Sequence, residues 1–178
     1  MINGIRGVLI LASIAVVVLL GAHAAAVAGE EEALAGAFAA YDAGDYGEAV
    51  TLWRRLADGG NALAMTALAN VLVQGEGVAR DPGHAAEWYR RAARLGDTVA
   101  QLNLGDMYAR GLGVAKDPVE AYFWLGLAAG QGNAWARERQ LEVTALLDPT
   151  QVENTERRIT AWKEPGDTKP ADGGTKTR

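Results

Sequence analysis

Residues 75–82 read GEGVARDP, and residues 111–118 read GLGVAKDP, 36 positions later. Other residues recur at the same interval, among them Trp88 and Trp124, Gly96 and Gly132, and Ala64, Ala100 and Ala136. Self-similarity with a period of about 20–50 residues is typical of folds in which successive units stack on one another. The sequence therefore predicts a repeat architecture that displays a surface, not a closed enzyme core.

Each 36-residue unit contains two stretches of helical periodicity. The first is predicted at about Ala62–Val73 and again at Val99–Ala109, and the second at about Pro82–Leu95 and again at Pro118–Gln131. Valine and isoleucine are few after the first thirty residues, which disfavours sheets. The predicted fold class is all-α, an α-solenoid of antiparallel helix pairs.

The ends of the second helices carry specific signals. Asp117 is expected to cap its helix, with Pro118 at the first position and Glu120 completing an Asp-x-x-Glu capping box. Asp45 and Glu48 offer the same box two units earlier. The glycines that follow the second helices suit a left-handed terminating residue, and the paired loop glycines suit unusual backbone angles.

These signals divide the chain into six segments. They are an N-terminal signal peptide or membrane anchor (1–28), a degenerate capping helix pair (29–60), two repeats (61–96 and 97–132), a second capping pair (133–163) and a disordered tail (164–178). The outer pairs lack the Gly-x-Gly-Val loop and are expected to shield the apolar ends of the stack. The tail has no bulky apolar residue with which to offset ordering entropy.

The N-terminus predicts export. Arg6 precedes an apolar run from Val8 to Ala22, and small residues follow with cleavage options after Ala28 (preferred) and Ala24. The alternative is an uncleaved anchor in the inner membrane, although the apolar run is shorter than the roughly 20 residues that span comfortably. We expect a periplasmic location, or an anchored protein that faces the periplasm and touches the membrane only through this segment.

Composition excludes several classes of function. The chain has no cysteine, and Ser13 in the apolar run is its only serine, so a mature protein lacks both nucleophiles. His84 is the only imidazole beyond the predicted processing site, which excludes a zinc site of several histidines. The net charge of −5 disfavours nucleic acid as a partner. We expect no cofactor, no metal and a monomer.

The units resemble the Sel-one-like repeats, a variant of the tetratricopeptide repeat. The string AQLNLGDMYARGLGVAKDPVEAYFWLGLAAGQGNAWA, residues 100–136, fits the family pattern almost throughout. Residues 62–100 fit well from Gly75 onward but have Ala69 and Leu72 where the family has glycine and an aromatic residue. The resemblance implies a right-handed superhelix of antiparallel helix pairs. It also implies a role in assembling protein complexes, not a particular reaction.

The repeated residues have structural explanations that we favour over functional ones. The Gly-x-Gly-Val loops follow helices and so lack the strand–loop–helix context of a phosphate site. Trp88 and Trp124 occupy equivalent helical positions in successive repeats and are interpreted as core residues, not as a sugar-stacking platform. Asp81 and Asp117 are interpreted as helix caps, not as a carboxylate pair for glycoside cleavage. Gly105, in the middle of a helix, is expected to permit close backbone contact with a neighbour.

Partner binding is therefore expected on the concave face, which the first helices of the pairs line. With Ala64, Leu68, Leu104 and Tyr108 assigned to the core, six polar residues are predicted to face outward: Asn70, Gln74, Gln101, Asn103, Asp106 and Arg110. The preferred function is a non-catalytic scaffold that binds a protein or peptide there. The alternative is a peptidoglycan hydrolase, or a direct activator of one, that uses carboxylates of this face.

Overall fold

A computed structural model describes residues 27–163 of the chain. The predicted signal peptide or anchor, apart from its last two residues, and the predicted tail lie outside this range. The helices are α1 (27–42), α2 (Tyr46–Asp58), α3 (Ala62–Gln74), α4 (Pro82–Arg94), α5 (Thr98–Arg110), α6 (Pro118–Gly130), α7 (Ala134–Thr144) and α8 (Pro149–Lys163). No strand occurs within the described range, so the all-α solenoid is confirmed.

Successive helices pack against one another along the chain. α3 packs on α4 and α5 on α6 within the repeats, and α4 on α5 and α6 on α7 between them. The last helix departs from this order because α8 packs on α6. The surfaces of the first helices, α3, α5 and α7, therefore lie one after another on the molecule, and we call this surface the first-helix face. In residues 27–163 no helix is both long and apolar enough to cross a membrane.

Every helix from α2 to α7 is preceded by a side-chain cap. Asn61, Asp97 and Asn133 accept hydrogen bonds from backbone N–H groups in α3, α5 and α7. Asp117 accepts from the N–H groups of Val119 and Glu120, as predicted. Such caps satisfy helix N–H groups that have no partner within the helix.

The predicted capping box at Asp117 is wrong in its second half. The backbone N–H of Asp117 donates to the carbonyl of Tyr108 at 2.9 Å and needs no carboxylate. Glu120 instead accepts from Arg158 on α8 at 2.7 Å. In a capping box the Glu120 carboxylate would accept a hydrogen bond from the backbone N–H of Asp117. That N–H is already bonded to the carbonyl of Tyr108 in α5.

Two loop glycines hold adjacent repeats in close backbone contact. Gly77 and Gly113 have φ angles of +69° and +70°, as expected for residues that other side chains resist. A Cβ on Gly77 would lie 2.2 Å from the Cβ of Tyr46, and a Cβ on Gly113 would lie 2.2 Å from the carbonyl oxygen of Pro82. Tyr46 and Pro82 are the first residues of α2 and α4, so each loop rests on the second helix of the preceding unit.

The core is richest around α6, whose residues from Ala121 to Ala129 are all buried. Trp124 is 5% exposed, and its ring meets those of Phe123 and Trp162 at centroid distances of 5.0 and 5.7 Å. Gly105 allows α5 to approach α6, since a Cβ there would lie 2.7 Å from Leu125. The predicted mid-helix contact at Gly105 is thus present.

Trp88 does not match its repeat equivalent. It is only partly buried, and the Arg91 guanidinium lies 4.3 Å from its ring centroid. The prediction that Trp88 and Trp124 are both core is therefore wrong for Trp88. The two differ because α8 packs on α6, and its Trp162 meets the ring of Trp124.

Candidate functional site

A solvent-open pocket of about 240 Å³ lies on the first-helix face between α3 and α5. Five of the six residues predicted to bind a partner line it: Asn70, Gln74, Asn103, Asp106 and Arg110. Val73, Met107 and Leu112 contribute apolar surface, and Tyr89 reaches the pocket from α4. The structure thus brings the predicted residues of two successive repeats to one place. We call this group the first-helix pocket.

Gln101, the sixth predicted residue, does not face outward. It is 1% exposed, donates to the carbonyl of Ala93 at 3.1 Å and accepts from Gln131 at 2.7 Å. These bonds connect α5 to the end of α4 and to the turn after α6. The prediction of Gln101 as a surface residue is therefore wrong, because α5 is covered on this side by the helices before and after it.

An amide pair joins the two repeats at the floor of the pocket. The side-chain amide of Asn103 donates to Asn70 Oδ1 at 3.4 Å, and the hydroxyl of Tyr89 donates to the same oxygen. Burial raises the pKa of Tyr89 to about 12, so the hydroxyl remains a donor at neutral pH. The orientation of Asn70 is thus set from both α4 and α5.

A charged cluster forms the other side of the pocket. Asp106 accepts from Arg110 at 3.1 Å and from Nε of Arg139 on α7 at 3.1 Å. Arg139 also donates to Glu142. The hydrogen bond with Asp106 is the main cause that raises the pKa of Arg139. Asp106 therefore holds two guanidinium groups in place across α5 and α7.

Sequence reasoning did not assign Arg139 or Tyr89 to this surface. The 36-residue period could have predicted Arg139 as a residue of this surface, because Arg139 lies 36 residues after Asn103. The pairing repeats as well: Asn103 contacts Asn70, and Arg139 contacts Asp106, with 33 residues between partners in both cases. Tyr89 carried no such signal, since it reaches the pocket from a second helix.

His84, the only imidazole among residues 27–163, lies outside the residues that line the first-helix pocket. It is exposed on the first turn of α4, and its Nδ1 lies 2.5 Å from Oδ2 of Asp81. This bond joins His84 to the residue that caps its own helix. Among residues 27–163 no cluster of three or more metal-ligating side chains occurs.

We expect the pKa of His84 to lie above its ordinary value of 6.5, because the hydrogen bond and charge of Asp81 favour the imidazolium. The contribution of the pair to stability is then complete between pH 3.8 and 6.5, and it is lost as the pH rises through the raised pKa of His84 or falls through the lowered pKa of Asp81. A proton NMR titration of the His84 ring measures the pKa. Asp81→Asn should return it toward 6.5, and an unchanged value in that variant would contradict the assignment.

Comparison with known proteins agrees with this architecture. A model of the Sel1 repeat family matches residues 62–97 and 98–133. A search of curated proteins found no match. The departures at Ala69 and Leu72 lie within the first matched repeat, so they do not prevent its match to the family model.

Solved structures share the fold. A protective antigen of uropathogenic Escherichia coli that displays an SLR fold is 28% identical with a TM-score of 0.70, over 75% of this chain and 29% of that one. A Sel1 repeat protein from Oxalobacter formigenes is 28% identical with a TM-score of 0.60, over 72% of this chain and 55% of that one. The present chain thus matches under two thirds of the length of either protein. Together with the all-α fold, these matches identify residues 62–133 as two tandem Sel1 repeats.

Proposed function

We propose that the chain is an exported, non-catalytic scaffold that binds a protein or peptide at the first-helix pocket. The convergence of five predicted residues from two repeats in this one open pocket carries the proposal. Sel1 repeats typically mediate contacts between proteins. The apolar N-terminal run supports export, with the folded part in the periplasm.

The chemistry of the pocket suits an extended polypeptide. Asn103 contributes an amide that both donates and accepts, and its bond to Asn70 is long enough, at 3.4 Å, to yield to a better partner. Gln74 and Arg110 are exposed at the rim. Val73 and Leu112 supply the apolar surface on which a side chain can rest. Amide and charged groups beside apolar side chains favour backbone hydrogen bonds with a modest hydrophobic contribution.

Asp106 supports this binding role by holding the arginines. Its two oxygens accept from Arg110 and Arg139, so the carboxylate is already engaged on both sides. Arg110, with 63% of its side chain exposed, can still turn a donor toward a ligand. A ligand with acceptor groups, such as a peptide carbonyl or carboxylate, matches this arrangement.

Site-specific photocrosslinking tests the proposal. A photoreactive amino acid at Gln74 should give a defined adduct with a periplasmic protein, whereas the same probe at the exposed Glu87 of α4 should not. Adding Asn103→Ala should lower the adduct yield at position 74 about tenfold, since truncating a residue that carries binding energy costs roughly 1–2 kcal/mol. Equal yields at positions 74 and 87, or no effect of Asn103→Ala, would contradict the proposal.

A digestion assay tests the alternative of a peptidoglycan hydrolase or activator. The exported protein is incubated with peptidoglycan, alone and with a known hydrolase, and soluble fragments are measured. A binding scaffold releases none and changes no rate. Release that disappears in Asp106→Asn would establish the hydrolase in place of the scaffold.

A further inference from the structure

Three large apolar side chains are exposed at equivalent positions of successive first helices. Leu63, Val99 and Trp135 are each the second residue of α3, α5 or α7, and they stand 36 residues apart. Their exposed fractions are 54%, 49% and 73%. Single exposed apolar residues are ordinary on protein surfaces, but a row at one repeat position marks a contact surface. We call these three residues the apolar row.

The apolar row lies at the edge of the solenoid where the first helices begin. Asn61, the cap of α3, donates to Glu30 in α1 at 2.7 Å. Thr66 in α3 donates to Asp97, the cap of α5, at 3.1 Å. These bonds place the beginnings of α1, α3 and α5 side by side.

The beginning of α7 lies at the same edge. Thr98, the first residue of α5, donates to Gln131 at 2.8 Å. Gln131 lies two positions before the α7 cap, Asn133, and Trp135 follows two residues after the cap. The three members of the apolar row are therefore neighbours along one edge.

In the sequence, the apolar run precedes α1 by only a few residues, and the beginning of α1 lies at this edge. The run extends from Val8 to Ala22, and residues 23–26 alone separate it from Val27, the first described residue of α1. Ala22 and Val27 are thus five residue steps apart, which span at most about 18 Å. A bilayer that holds the run must therefore lie next to the edge that carries the apolar row.

We propose that the apolar row rests on the surface of the membrane in which the N-terminal segment is retained. Tryptophan favours the boundary between water and lipid. The N-terminal apolar run is shorter than a comfortable membrane span, and partial burial of the apolar row would strengthen its attachment to the membrane. The first helices then point away from the bilayer, and the first-helix pocket is held at a fixed height above it. This inference rests on the proposed export and takes the alternative in which the N-terminal segment is an uncleaved anchor; it does not depend on peptide binding.

The attraction to lipid is apolar, not electrostatic. Glu30, Glu31 and Glu32 are exposed near the beginning of α1, at the same edge, and would be repelled by anionic headgroups. A zwitterionic surface is therefore the partner that fits. Contact should change little with added salt, because screening acts on charges.

Single-cysteine labelling tests this contact, and the chain has no native cysteine to interfere. The full chain, with residues 1–28 retained, is reconstituted into phosphatidylcholine vesicles and labelled with an environment-sensitive fluorophore at Leu63→Cys or Val99→Cys. Leu146→Cys is the matched control, since Leu146 is 58% exposed and follows the other end of α7. Labels at 63 and 99 should shift to the blue and be quenched severalfold more than 146 by nitroxide lipids.

Adding charges to the apolar row tests whether its side chains cause the quenching by nitroxide lipids. With the label at position 99, Leu63→Glu and Trp135→Glu together should reduce quenching to the level of position 146, whereas Leu146→Glu should not. All substituted residues are exposed, so circular dichroism should stay unchanged. Equal quenching at both ends, quenching by a nitroxide on a second copy of the chain in place of nitroxide lipids (a second copy on the row), or full release of a processed chain from membranes of expressing cells would each overturn the proposal.

Discussion

Replacing Trp124 with alanine is expected to lower the free energy of unfolding by about 3–5 kcal/mol, the range for truncation of a buried aromatic side chain. The ring is 5% exposed and contacts Phe123 and Trp162, so the cavity would open between α6 and α8. The structure offers little to fill it, because α6 is buried from Ala121 to Ala129. Urea unfolding followed by circular dichroism measures the change.

Trp88→Ala is the matched control because it makes the same substitution at the equivalent position one repeat earlier. Trp88 is partly buried, and one of its faces is covered by the flexible Arg91 side chain, so its loss should cost no more than about 2 kcal/mol. Trp124→Phe should cost less than Trp124→Ala, since a ring remains between α6 and α8. Equal losses for the two alanine variants would show that α8 does not bury Trp124 in solution.

Gly113→Ala is expected to cost about 3–5 kcal/mol, because it combines backbone strain with a collision against another repeat. Its φ of +70° is unfavourable for alanine, and the new Cβ would lie 2.2 Å from the Pro82 carbonyl oxygen and 2.8 Å from the Gly83 nitrogen. Backbone atoms at the beginning of α4 cannot move aside as a side chain can. The thermal transition of the variant should fall well below that of the unmodified chain.

Gly96→Ala distinguishes backbone strain from collision with a neighbouring repeat. Gly96 has a φ of +94°, but no neighbouring atom lies within 4 Å of the place that an added Cβ would occupy, so strain acts there alone. A cost of about 1–2 kcal/mol is expected for one left-handed residue. If Gly96→Ala destabilised the chain as much as Gly113→Ala, contact between the loop and the preceding repeat would contribute nothing.

The sequence was sufficient to predict the helix pairs because the 36-residue period and the helix-end signals agree. Asp81 and Asp117 cap helices as predicted, and Gly96 and Gly132 follow theirs with positive φ angles. These features are local, in that each depends on a few neighbouring residues. Five of the six residues predicted to face outward on the first helices line one pocket, and their role in partner binding stays a prediction.

The errors come from contacts between distant parts of the chain. Periodicity placed Gln101 on the outer side of α5 but did not show that the turn after α6 covers it. Glu120 obeys the local rule for a capping box, yet Arg158, 38 residues later, binds it. Tyr89 was missed for the same reason, since a long side chain can reach past its own helix into the pocket.

Gly77 contacts Tyr46 and Gly113 contacts Pro82 at the beginning of the preceding second helices. These contacts affect how the first-helix face can change during evolution. Main-chain geometry at these points sets the pitch of the stack, so the distance from one first helix to the next does not depend on the side chains that the helices display. Asn70 and Asp106 occupy the same position in successive units with different chemistry. A new ligand specificity can therefore evolve by substitutions on the exposed helix surfaces while the spacing between them stays constant.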